Sequence, residues 1–168
     1  HSVGVQRQYT GSAGKITNCQ VAVTLAVATD HDTVPIDVAL YLPESWATDD
    51  ARRKATRVPA DVTFRTKGEI AAQLLRDAHA DGVPLGEVLL ADADYGRLPE
   101  LRQLANELGM NYAVGVHRSQ PIWDRGGVWT TPMSAGEFAS YLPGARYRRL
   151  SWRDATSAGA RLRERPDN

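Results

Sequence analysis

Between residues 66 and 116 the apolar pattern changes period three times, and this alternation restricts the fold more than any other feature. Thr66 and Glu69 make a Thr-x-x-Glu capping signature. Ile70, Leu74, Leu75 and Ala78 then recur on one helical face, and Gly82 and Pro84 close the segment. Residues 87–92, Glu-Val-Leu-Leu-Ala-Asp, are a short apolar run, the pattern of a parallel strand buried on both faces. Pro99 stands in the first turn of a second helix and Gly109 just past its end. Its stripe is Leu98, Leu101, Leu104, Ala105 and Leu108. Residues 111–116, Asn-Tyr-Ala-Val-Gly-Val, return to a strand. Strand, helix and strand joined by short loops predict a right-handed βαβ unit, and so an α/β fold.

The flanks are less regular. Residues 9–18 read as a glycine-containing turn. Gly11-x-x-Gly14-Lys15 is not a phosphate loop, which needs four residues between its glycines and Ser or Thr after the Lys. Residues 19–29 are Val-rich and read as a central strand, with 33–43 as its hairpin partner and Pro35 as an interruption or edge. The polar segment 44–59 reads as one short helix ended by Pro59. Beyond His117 the pattern loosens into a turn-rich stretch, a short helix over 134–144 and a strand over 145–152. The remainder has no apolar face and reads as disordered or interrupted.

A chain of 168 residues makes one domain, or one and part of another. No run approaches the roughly 18 apolar residues of a membrane helix, so no membrane partner is expected. The first residues carry no signal-peptide apolar core. Cys19 is the single cysteine, which excludes a disulfide framework and a cysteine zinc site and fits a reducing, cytoplasmic setting. Net charge is zero but uneven: Arg7 and Lys15 stand without acids in the first 20 residues, and seven Arg face three acids from Arg146 onward. Fifteen acids against nine bases lie between Asp30 and Met110. Basic ends around an acidic middle fit either a phosphate-binding surface near a carboxylate site or plain solvated surface.

Asp92 is the principal candidate. Ligands of α/β sheets gather beyond the carboxyl ends of parallel strands, where Asp92 falls. The ordinary alternative is an Asp that caps the next helix or satisfies a turn. Residues 88–95, Val-Leu-Leu-Ala-Asp-Ala-Asp-Tyr, resemble the Asp-x-Asp signature of haloacid-dehalogenase-like phosphatases. Against this, Tyr95 stands where that family has Thr or Val, and the motif lies past mid-chain. Asp124, Glu137 and Asp154 are also too isolated to form its later acidic pair.

A broader resemblance rests on ordered segments: residues 2–25, including Gly-Lys-Ile-Thr-Asn-Cys-Gln; Leu-Tyr-Leu-Pro-Glu-Ser-Trp (40–46); 52–75; Leu-Leu-Ala-Asp-Ala-Asp-Tyr-Gly (89–96); and 111–116. In this order they resemble the core of DDE-type insertion-sequence transposases, over about 2–116 and weakly to 152. The resemblance implies a ribonuclease H-like mixed sheet flanked by helices. It implies DNA as partner, with homodimer formation in view, and Mg²⁺ (or Mn²⁺) held by two Asp and one Glu for in-line displacement at phosphorus. Asp92 matches the second carboxylate, as catalytic residue and metal ligand; Asp94 falls at a variable position and takes no role.

The family's first Asp would precede residue 1 and its Glu would follow residue 168. The expectation is therefore an incomplete core, lacking the first strand and the Glu-bearing helix, cut short or encoded by a decayed gene and inactive alone. The partial core would span 1–117, and 118–168 would begin an inserted or connecting region with a basic tail. An open gap is expected between the strand at 19–29 and that at 88–92, where the family's first strand lies. A non-catalytic DNA-binding or dimerising remnant is the alternative.

For DNA contact the candidates are Arg52, Arg53, Lys54, Arg65 and Lys67, and Arg146, Arg148 and Arg149. The first group also fits a solvated helix face. The second, interleaved with Tyr147 and Trp152, also fits a strand with aromatics in the core. A lone His117 reads as structural.

Overall fold

The computed structural model describes residues 2–10, 14–123 and 131–147, a mixed α/β arrangement of small sheets and six helices among those residues. Contacts divide it into two units, His1–Gln120 and Pro121–Asn168.

In the first unit, β1 (Gln6–Thr10) and β2 (Lys15–Cys19) form an antiparallel ribbon in which Arg7 faces Asn18 and Tyr9 faces Ile16. A turn was expected over 9–18. The ribbon has no apolar period to announce it, because its residues are mostly polar and its order comes from the backbone ladder. The strand expected over 19–29 is likewise divided: Cys19 ends β2, and β3 begins after Gln20 and Val21.

β3 (Ala22–Ala28) pairs antiparallel with β4 (Thr33–Leu40). Leu25 faces Asp37 while Ala26 faces Pro35, so Ile36 is the extra residue of a bulge. Pro35, with no N–H to donate, sits at that irregularity, as its chemistry predicts.

Two short helices follow, α1 (Glu44–Ala47) and α2 (Asp50–Ala55), where one was expected. The break comes at Asp49, whose side chain accepts from the Arg52 amide at 2.9 Å and caps α2. α3 (Lys67–Ala80) carries the expected capping box between Thr66 and Glu69. Then come β5 (Val88–Ala91), the single turn α4 (Ala93–Gly96), α5 (Pro99–Glu107) and β6 (Asn111–Val114). β5 and β6 are parallel, in register Val88–Asn111 to Ala91–Val114, which completes the anticipated βαβ unit.

Three helices end alike. In α3 and α5 the residue after the cap is glycine with positive φ, Gly82 (71°) and Gly109 (72°). The two amides beyond each cap turn back onto the last helical carbonyls: Val83 to Ala78 and Gly82 to His79, Met110 to Ala105 and Gly109 to Asn106. α2 closes the same way, Val58 to Arg53 and Arg57 to Lys54, but its left-handed residue is Arg57, φ 56°.

The core lies between α3, α5 and one face of the strands. Ala72, Leu75, Leu101 and Leu104 form one cluster, joined by Leu25 from β3 and Leu89 from β5. Val23, Ile70 and Leu74 form a second. β5 is covered on this face only: Leu90 is 67% exposed and Val88 47%, against the expectation of burial on both faces. The buried residues packed on this face come from α3 and α5.

The β3–β4 pair and the β5–β6 pair share no ladder. Among the described residues, neither β3 nor β5 has a backbone partner on its outer edge. A cavity of about 160 Å³ lies between them, lined by Val23, Leu25, Leu74, Leu89, Asp92 and Tyr95 among others. The open junction anticipated from the sequence is therefore present.

In the second unit β7 (Pro121–Ile122) pairs antiparallel with β8 (Met133–Ser134). Ser134 and Glu137 make a capping box on α6 (Ala135–Tyr141), the helix expected there. Gly144–Arg146, where the expected helix was to end and the expected strand to begin, form a 3₁₀ turn after Pro143. The rest of that strand and the tail lie outside the described residues.

Candidate active site

Asp92 leaves the end of β5 and becomes the N-cap of α4, with φ −76° and ψ −176°. Its Oδ1 accepts from the amides of Asp94 at 2.9 Å and Tyr95 at 3.3 Å. The capping role is thus real. It uses one oxygen, and Oδ2 has no partner among the described residues. The side chain is exposed and borders the cavity between β3 and β5. Capping and ligand binding are compatible here, because the cap fixes the direction of the carboxylate that remains open.

Three contacts hold this turn in place. Tyr95 packs against both core clusters. Burial, with the charges of Asp92 and then Asp94, pushes its phenol above the ordinary tyrosine value. Gly96 meets the chain beyond β6, and a Cβ there would lie 1.8 Å from the Gly115 carbonyl oxygen. The Arg102 guanidinium donates to the Gly96 carbonyl and ties α4 to α5. The sequence pointed to Asp92 but not to these supports. Gly96 and Gly115, each following a strand of the same βαβ unit, were the available signal.

Asp94 is exposed, and its backbone carbonyl accepts from Arg97. Among the described residues no three His, Cys, Asp or Glu side chains converge to hold a metal ion. A single hard oxygen donor suits Mg²⁺ or Mn²⁺ in kind but does not make a metal centre.

The basic candidates are dispersed in role. The Arg53 guanidinium donates to the carbonyls of Ala47, Val62, Pro59 and Ala60, clamping the loop after α2. Arg52 pairs with Asp49 at 3.4 Å and lies 4.8 Å over the Trp46 ring. Lys67 sits 5.5 Å over the Tyr41 ring. Lys54 and Arg65 are exposed. Arg146 ends the 3₁₀ turn of the second unit; Arg148 and Arg149 lie outside the described residues. His117 is exposed, its Nδ1 2.6 Å from the Ser119 hydroxyl.

The family model described as DDE superfamily endonuclease matches residues 1–165. The chain belongs to the DDE superfamily endonucleases. A relative from Microchaete diplosiphon, the "Probable transposase for insertion sequence element IS701", is 33% identical over 119 residues. That match covers 70% of this chain and 28% of the relative, so the chain spans well under half of the relative's length. No solved structure matches. DDE superfamily endonucleases generally use divalent metals.

Proposed function

We propose that this chain forms part of the catalytic core of an insertion-sequence transposase, in which Asp92 supplies one carboxylate to metal-dependent cleavage and transfer of DNA strands. The observation that carries this reading is the fixed, half-used carboxylate at the end of β5, facing the apolar cavity. Family membership and the transposase relative support it. The ribonuclease H-like arrangement is part of the same proposal: an antiparallel pair and a parallel pair share one helix layer and leave room for a strand between them. The partners of Asp92 in a metal site would come from the rest of a longer protein, together with the surface that binds transposon ends.

Within this reading Asp92 holds its geometry through the amides of Asp94 and Tyr95, and Tyr95 excludes water from the core side of the turn. Asp92 is one of the three carboxylates this reading requires, so the 168-residue chain should not cleave DNA in Mg²⁺ or Mn²⁺. Metal-dependent nicking by the purified chain, lost in Asp92→Ala, would overturn that expectation. In the full-length protein Asp92→Asn should abolish cleavage while leaving binding to transposon ends. Normal nicking by the substituted enzyme would remove Asp92 from the site. Hydrolysis of a small phosphoester by the isolated chain would favour a phosphatase.

A further inference from the structure

The β1–β2 ribbon has two unlike faces. Gln6, Gln8, Thr10, Thr17 and Cys19 are half-buried, and Gln8 Nε2 donates to the Cys19 carbonyl at 2.8 Å. Arg7, Tyr9, Ile16 and Asn18 point the other way and are exposed, with Tyr9 and Ile16 each 58% accessible. Two large apolar side chains left in water are costly unless something covers them. Charge points to an anionic partner: the first acidic residue of the chain is Asp30, whereas Arg7 lies on this exposed face and Lys15, paired opposite Thr10, stands at the edge of the other. Neither has an ion-pair partner among the described residues.

The ribbon is also tied down at its base. The Trp46 indole, 2% exposed, donates to the Val5 carbonyl at 2.9 Å, and Gln20 donates to the Val3 carbonyl at 2.7 Å. The Ser45 hydroxyl bonds the Gln6 side chain at 2.9 Å. A two-stranded ribbon is of a width that the major groove of duplex DNA admits. An exposed Arg and Asn can engage base edges or phosphates, and a Tyr–Ile pair can lie against thymine methyls or sugars.

We propose that the exposed face of the β1–β2 ribbon, with Lys15, is a duplex-DNA contact surface separate from Asp92. It rests on the reading of the chain as one that acts on DNA. The test is anisotropy of the 168-residue chain on a labelled duplex of about 30 base pairs between about 50 and 200 mM salt. Arg7→Gln with Lys15→Gln should lower the slope of log affinity against log salt by about 1.8, two phosphates at about 0.9 each. Arg7→Lys with Lys15→Arg should keep the slope. Tyr9→Ser with Ile16→Ser should weaken binding at unchanged slope, with melting temperatures unchanged throughout. A slope unaffected by the charge-removing pair would overturn the proposal. So would a chain dimer that Tyr9→Ser and Ile16→Ser dissolve with no effect on DNA binding. Absence of duplex binding at low salt would also sink the ribbon surface. The transposase reading would survive that result, because it stands on Asp92 and cleavage by the full-length protein.

Discussion

The ribbon with its α1–α2 anchor and the βαβ unit around Asp92 solve the same problem differently. Each presents polar side chains on a fixed support. Around Asp92 the support is a dry helix layer, and the chain turns tightly where two glycines meet. Around the ribbon it is a small set of hydrogen bonds, one of them from the Trp46 indole, with much of the strand surface left in water. The contrast shows that rigidity can come from burial or from a few well-placed donors, and that the second route leaves no apolar period.

The largest effect should come from removing the anchor. Trp46→Ala deletes a fully buried aromatic and should cost about 3–5 kcal/mol, read as a drop in melting temperature. Trp46→Phe should restore most of the packing but lose the bond to Val5, at roughly 1–3 kcal/mol for the carbonyl left unpaired. If Trp46→Ala melts like the wild type, the anchor is not structural.

On the other side, Gly96→Ala should cost about 1–3 kcal/mol, since its Cβ would meet backbone rather than a movable side chain. Gly82→Ala, where a Cβ meets nothing within 4 Å, isolates the contribution of positive φ alone. No loss at Gly96 would deny the close approach that fixes Asp92.

The comparison also predicts a gain. Arg57 occupies in α2 the left-handed position that Gly82 and Gly109 occupy in α3 and α5. Left-handed backbone costs an L-residue roughly 1–2 kcal/mol. Arg57→Gly should therefore stabilise the chain by about 1 kcal/mol or less, after the entropy glycine gives back. Denaturant midpoints would check the sign, and a loss would mean that the Arg57 side chain contributes more than the strain it bears.

The smallest expected effect depends on pH. Hydrogen bonds from the Thr66 amide and hydroxyl hold Glu69 below the ordinary carboxylate value of 4.5, and Ser134 does the same for Glu137. A folded value below the unfolded one adds stability above about pH 4.5 that is lost as pH falls through the folded value. Glu69→Ala should be less stable than wild type at pH 7 and converge with it in acid. A gap that persists at pH 2 would show that the carboxylate charge is not its source.

Much of the βαβ unit was legible because its signals are local: the Thr66–Glu69 box, the stripes of α3 and α5, Gly82 and Gly109, and the run ending at Asp92. The ribbon was not, because 6–10 and 15–19 pair mostly polar with polar, and the one Tyr9–Ile16 pair is too little for periodicity to register. The division of α1 from α2 depended on whether Asp49 capped a helix or decorated one, which composition does not decide. For Asp92 the structure shows the capping reading, through Oδ1, and leaves Oδ2 without a partner among the described residues. The clamp made by Arg53 was invisible, since a guanidinium on four carbonyls looks, in sequence, like any cation in a basic run.

The missing ladder between β3 and β5 has a mechanical consequence. Backbone hydrogen bonds fix the spacing of neighbouring strands at about 4.8 Å, but here the two strand pairs are held to one another through side chains resting on α3 and α5. Side chains yield by small rotations where a ladder would have to break. The gap can therefore breathe at low cost, and the outer-edge amides of β3 and β5 should trade deuterium with solvent faster than those facing β4 and β6. The distance from Asp92 to the β3 residues across the cavity should then vary with the width of the gap, while the amides of Asp94 and Tyr95 keep its direction.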